Sequence, residues 1–259
     1  MTRAIAASIR TERVDEHVLL ITIDRPESRN AFDGATAAAM EEAVDLFEAD
    51  DDLRVAVLTG AGPTFSAGQD LKAAARGDFA QTQKRGGFGF MKRPPAKPVI
   101  AAVEGHALAG GLELCLACDL VVATEASTMG LPEAARALVA VGGGLFRLPK
   151  RIPYHVAMEL ALTGKALPAS DFHRMGLVNR LCAPGSAVDM ALDLAREIAA
   201  CGPLAVRASK QIVQHSSDWT DEEAWHEQLA YAGPVLASED TQEGLRAFAE
   251  KRAPQWKGR

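Results

Sequence analysis

The chain has 259 residues, 48% of them apolar, with a formal net charge of -6 and a pI near 5.6. That is ample for a buried core, and the acidic balance argues against nucleic acid or an anionic membrane as a partner. No signal-peptide core leads the sequence and no run reaches the roughly eighteen apolar residues of a spanning helix, so a cytoplasmic protein is expected.

Residues 5–13 and 18–24 are the first β-rich runs and predict a hairpin across Val14-Asp15-Glu16, stopped by Arg25-Pro26. Asp33 stands where it can cap a helix over 34–49, in which Met40, Val44 and Phe47 share one face. Residues 54–59 read as the next buried strand, giving β-β-α-β. The loop G-A-G-P-T-F-S-A-G-Q-D-L-K over 60–72 fails as a dinucleotide fingerprint, because Phe65 replaces the third glycine and Pro63 interrupts the turn. It also fails as a nucleophile elbow, because Thr64 rather than glycine lies two before Ser66, which reads as structural. What remains is a glycine loop after a strand, able to present a backbone N–H at Gln69. The tract 73–97 carries Phe88, Phe90 and Met91 among glycines and basic residues. It reads equally as a mobile lid over an apolar pocket or as a solvated connector.

The stretch 99–133 organises the chain. Residues 99–103 form a short apolar strand; Ala109-Gly110-Gly111 then let the backbone approach a ligand before a helix starts at Leu112. A helix N-terminus there offers free N–H groups to a developing oxyanion. Glu113 lies in its first turn, residues 119–124 form a second strand, and Glu133 follows Leu131-Pro132, a helix-starting pair. Each glutamate alone is an ordinary first-turn acid; beside the glycine turn the two suggest paired proton-transfer groups. Cys115 and Cys118 make a C-x-x-C inside an apolar helix with no second ligand pair, so with Cys182 and Cys201 elsewhere, no metal site is expected and buried reduced thiols are. Further on, a glycine turn at 142–144, helices over 154–163 and 170–175 and a strand over 176–181 are expected. Beyond residue 185 only helices follow: 187–200, 204–215, 221–238 broken near Pro234, and 238–252, whose Lys251-Arg252 pair is a candidate anion contact.

The segments I-D-R-P-E-S-R-N-A-F, F-S-A-G-Q-D-L-K, the 99–133 block, T-G-K-A-L-P-A-S-D-F-H-R-M-G-L-V-N-R and a closing F-A-E-K-R, in that order, resemble the crotonase superfamily (the enoyl-CoA hydratase/isomerase family) over essentially the whole chain. The resemblance implies an α/β fold: a crotonase-like ββα spiral core over residues 1–185 that binds acyl-CoA, and an all-helical region over 186–259 that makes trimers or hexamers. It implies an acyl-CoA thioester substrate, with coenzyme A arriving as part of it and no separate cofactor. Backbone amides of Gln69 and Gly110 would hold the thioester oxygen and Glu113 and Glu133 would be catalytic, while Arg25, Ala31, Ala67, Gly68, Asp70, Leu71 and Lys251 would contact substrate and CoA. The activity so implied is hydration of a 2-enoyl-CoA. Two departures from the family pattern, Ala109 for glycine and A-R-A-L-V-A-V-G-G-G after Glu133, which puts Arg136 and Val141 at unusual positions, keep a carnitinyl-type dehydration open. Enoyl-CoA isomerisation and silent acyl-CoA binding are the further alternatives.

Overall fold

The computed structural model describes residues 2–6 and 8–259. Strands β1 (Thr2–Ala6) and β2 (Ile9–Arg13) pair antiparallel, and β2 pairs antiparallel with β3 (Val18–Ile23). The one strand expected over 5–13 is thus two, and Ala7 between them lies outside the described residues. Asp33 caps α1 (Gly34–Ala49) by accepting the Thr36 N–H at 2.8 Å. The α1 face carrying Met40, Val44 and Phe47 is fully buried, each side chain contributing about 1.5–3 kcal/mol of apolar burial. Strand β4 (Val55–Gly60) pairs parallel with β3, which makes α1 the crossover that such pairing requires.

After β4 come α2 (Leu71–Ala74), capped by Asp70, and a small hairpin of β5 (Gln81–Thr82) and β6 (Gly86–Gly87). The solvated-connector reading of 73–97 is overturned here. Arg85 is buried, ion-paired to Asp45 and Glu48 of α1, and Phe88, Phe90 and Met91 are buried as well. The chain continues through β7 (Val99–Val103), β8 (His106–Leu108), α3 (Gly110–Ala117), β9 (Leu120–Thr124) and β10 (Thr128–Gly130). Next are α4 (Gly144–Arg147), α5 (Tyr154–Thr163), β11 (Ala166–Pro168), α6 (Ala169–Arg174) and β12 (Arg180–Cys182). The seven-stranded sheet has the order β1-β2-β3-β4-β7-β9-β12, parallel from β3 onward, and a second sheet runs β11-β10-β8. The ββα spiral follows from this: successive turns send strands to the large sheet and, three times, a three-residue strand to the small one.

Side-chain alternation gives the large sheet two cores. Ala56, Leu58, Ala101, Val103 and Ala123 face α1 and α3, whereas Val55, Val57, Ile100, Ala102 and Val122 face α7 (Ala187–Ala199). Helix α7 starts where Glu104, just past β7, accepts the Ala187 N–H, and ends where Arg54, just before β4, bonds the Ala199 carbonyl. It therefore runs back to the N-terminal edge of the strands. There α8 (Pro203–His215) is fixed by Lys210, bonded to the Asp119 carboxylate and the Pro95 and Lys97 carbonyls. A capping box at Thr220 begins α9 (Asp221–Leu236), which is not broken at Pro234 as expected but continues to its end two residues later. Helix α10 (Glu239–Glu250) returns to the N-terminal edge: Trp256 donates to the Ala200 carbonyl at 2.8 Å, and Asp240 accepts the Lys257 and Gly258 amides. Among the described residues, no helix is long and apolar enough to cross a membrane.

Candidate active site

The loop leaving β4 and the segment leaving β7 zip together: Ser66 N–H donates to the His106 carbonyl at 3.0 Å and Leu108 N–H to the Ser66 carbonyl at 3.1 Å. This brings Gly68 (φ 92) against Gly110, where an added Cβ would lie 2.8 Å from the Gly110 nitrogen, so the contact admits only glycine. Several of the neighbouring amides are engaged. Asp70 N–H donates to Phe32 O, Gly68 N–H to Ser66 Oγ and Ala109 N–H to Gly130 O, but no acceptor among the described residues takes the Gln69 or Gly110 N–H. Two adjacent amides are therefore free to bind one oxygen. Ser66 is fully buried and donates to the Asn30 carbonyl, which is the structural role its sequence context suggested.

Ala109 sits at φ 53, ψ -126, a region that costs a residue with a Cβ on the order of 1–3 kcal/mol. The turn is thus strained at the residue that precedes the Gly110 donor. Gly110 itself is walled by Phe88, whose ring an added Cβ would strike and which stacks on Phe32 with centroids 4.2 Å apart.

Glu113, on α3, is 5% exposed and accepts the Gly144 N–H at 2.9 Å. Burial raises its pKa, opposed by the amides of Gly142–Gly144 and the nearby Arg147 charge. Glu133, in the single 3-10 turn Pro132–Arg136, is differently placed: its Oε2 is buried with no partner, and burial together with the Glu113 charge pushes its pKa up to about 7. Beyond Glu133 opens a cavity of about 380 Å³ lined by Leu131, Leu138, Leu145, Ala157, Met158 and neighbours, with Tyr154 and Glu133 the sole side chains there that carry a polar group. The glycine-rich turn matters at other positions than expected. Val141 is 87% exposed with no positive φ, so it constrains nothing, while Gly142 and Gly144 lie directly against Glu113.

Of the other expected contacts, Ala31, Ala67, Gly68, Asp70 and Leu71 gather in one patch, joined by the Phe32 and Gln69 bridge. Arg25 lies there too, but its guanidinium already bonds the Ala31 carbonyl at 2.5 Å and pairs with Asp33 and Asp70, so it braces the patch instead of offering a free charge. Lys251 stands apart from that patch in sequence and caps the C-terminus of α10, its backbone N–H donating to the Phe248 carbonyl at 3.2 Å. Its neighbour Arg252 is held by Glu243 and Glu250 and is no open anion contact. The glycine turn at 142–144 was legible in the sequence, but not its contact with Glu113 or the role of Arg147; three consecutive glycines with an arginine three residues later were the available signal. Cys115 and Cys118 are buried free thiols, and the described residues contain no metal-ligating cluster.

The family model for enoyl-CoA hydratase/isomerase matches residues 13–259. Among curated proteins, a carnitinyl-CoA dehydratase from Salmonella arizonae is 43% identical over 249 residues, 93% of this chain and 95% of that protein. Among solved structures, an enoyl-CoA hydratase from Mycobacterium marinum matches with a TM-score of 0.95 at 51% identity, over 98% of this chain and 100% of that one. A carnitinyl-CoA hydratase from Mycobacterium avium matches with a TM-score of 0.78 at 42% identity, over 98% and 100%.

Proposed function

The chain belongs to the enoyl-CoA hydratase/isomerase family, with the crotonase fold, and from that premise we propose that it is an enoyl-CoA hydratase adding water reversibly across a 2-enoyl-CoA to give the 3-hydroxyacyl-CoA. The observation that carries this reading is the pair of unlike carboxyls beside two free amides. The Glu113 carboxylate, held by the Gly144 N–H, takes a proton from water as the water oxygen bonds to C3. The C2–C3 π electrons move toward the thioester, whose oxygen becomes negative against the Gln69 and Gly110 N–H groups. Glu133, whose pKa of about 7 keeps a substantial protonated fraction at neutral pH, then delivers its proton to C2 as the enolate collapses. One proton has left water and one has arrived at carbon; transfer from Glu113 back to Glu133 resets the pair.

The acyl tail beyond C3 fits the cavity past Glu133, whose apolar walls suit an uncharged chain. Dehydration of a carnitinyl-type ester is the second reading, favoured by the name of the Salmonella relative. A trimethylammonium group in that cavity would find only Glu133, a group the chemistry already uses, and the Tyr154 ring. Initial rates on 2-butenoyl-, 2-octenoyl- and the trimethylammonium-bearing butenoyl-CoA decide between them: the hydratase reading requires the two uncharged esters to be hydrated faster, and preference for the charged ester would reverse it. We further propose that Lys251 contacts the CoA moiety and that α9 and α10 make contacts between copies in a homotrimer or hexamer; exposed Trp225, Leu229, Leu236 and Phe248 on these helices support such an assembly.

A further inference from the structure

Arg147 ends α4 and reaches back over the glycine turn that precedes it. Its Nη1 donates to the Gly142 carbonyl at 3.1 Å and its Nη2 to the Met91 carbonyl at 2.7 Å. Its guanidinium packs on Gly143, which sits at φ 108 and has no room for a Cβ, and lies 5.1 Å from the Phe146 ring centroid. The two carbonyls belong to different parts of the site. Gly142 opens the turn whose amides hold Glu113. Met91 closes the turn, through Met91 N–H to Gly87 O, that carries Phe88 against Gly110.

We propose that Arg147 is a positioning residue for hydration: its fork fastens the amide cradle of Glu113 to the Phe88 wall of the oxyanion-binding amides, fixing the base and the thioester oxygen in one geometry. The proposal rests on the hydratase reading. A guanidinium holds donors on separate nitrogens of one rigid plane and can reach two carbonyls that face different sides of it, whereas lysine converges its donors on a single nitrogen. A displacement of about 1 Å between reacting groups can cost on the order of a hundredfold in rate. The charge also matters to Glu113. Glu113 faces Arg147 from α4 and Glu133 from the 3-10 turn, with Arg136 beside the latter; Arg147 in turn faces Arg151 and the Cys118 thiol at the end of α3. Arg147 is the cation in direct opposition to the burial that raises the Glu113 pKa.

The test compares Arg147→Lys and Arg147→Gln with the wild type on 2-butenoyl-CoA, with kcat, KM, their pH dependence and circular dichroism. Arg147→Lys is expected to stay folded, to lose kcat by about tenfold to a hundredfold with KM changed less than about threefold, and to keep the acid limb of its kcat/KM profile in place. Arg147→Gln is expected to lose as much kcat or more and to move that acid limb to higher pH, because Glu113 keeps its burial and loses the opposing charge. Unchanged kcat in folded Arg147→Lys, or an unmoved acid limb in folded Arg147→Gln, would overturn the proposal. Unfolding of Arg147→Lys would also overturn it, by making the residue a structural one. A wild type that hydrates no enoyl-CoA would sink the hydratase reading itself, and this proposal with it.

Discussion

Gly142 stands so close to Glu113 that a Cβ added to it would lie 2.6 Å from Glu113 Oε2 and 2.5 Å from Met91 Sδ. The base is thus held from one side by a backbone that has no side chain to give up. Gly142→Ala should push Glu113 off its amide partners without removing any chemical group. A kcat loss of about tenfold to a hundredfold with CoA-ester affinity retained is expected in steady-state and equilibrium binding measurements; wild-type kcat would mean that the cradle does not position Glu113.

Ala109 offers the opposite case, a site where glycine should stabilise. Its positive φ carries a strain of order 1–3 kcal/mol, and glycine adds roughly 0.4–1 kcal/mol of unfolded-chain entropy, so Ala109→Gly should gain about 1 kcal/mol. Thermal denaturation should show a rise of about 2–4 °C. An equal or lower midpoint would show that the surrounding hydrogen bonds, Ala109 N–H to Gly130 O among them, already accommodate the methyl.

Glu133 links activity to stability through pH. Its folded pKa of about 7 is above the ordinary 4.5, so the folded state holds the proton more tightly than the unfolded chain. That stabilisation is complete below about 4.5 and is lost as pH rises through about 7. The direct conversion, about 3 kcal/mol, is an upper bound because the side chain is partly solvent-exposed, leaving about 1–2 kcal/mol. Glu133→Gln should therefore melt above the wild type at pH 8, and the gap should close toward pH 5. The wild-type kcat/KM should fall on the alkaline side near pH 7, as the protonated acid is lost. A gap independent of pH would show that Glu133 titrates at its ordinary value.

The parts of this site that were legible in the sequence are those whose signal is local. Asp33 before an amphipathic run announced α1, and glycines at the start of a helix announced the open backbone at Gly110, because capping and close backbone approach leave marks within a few residues. Strands β8 and β10 are three residues each, too short for any alternation to register. The Phe88 wall was hidden for another reason: its place is set by Phe32 and Gly110, 56 and 22 residues away, not by neighbours in the chain. The same holds for Arg147, whose partner carbonyl at Met91 is 56 residues distant.

The division of labour between Glu113 and Glu133 is most directly tested by running the wild type, Glu113→Gln and Glu133→Gln on 2-butenoyl-CoA in oxygen-18 water and following label into the 3-hydroxyl group. A two-carboxyl hydration predicts rapid incorporation by the wild type and a loss of at least about a hundredfold in each variant, with CoA-ester binding intact, since glutamine keeps the volume but carries no proton. Incorporation at the wild-type rate by either variant would contradict it.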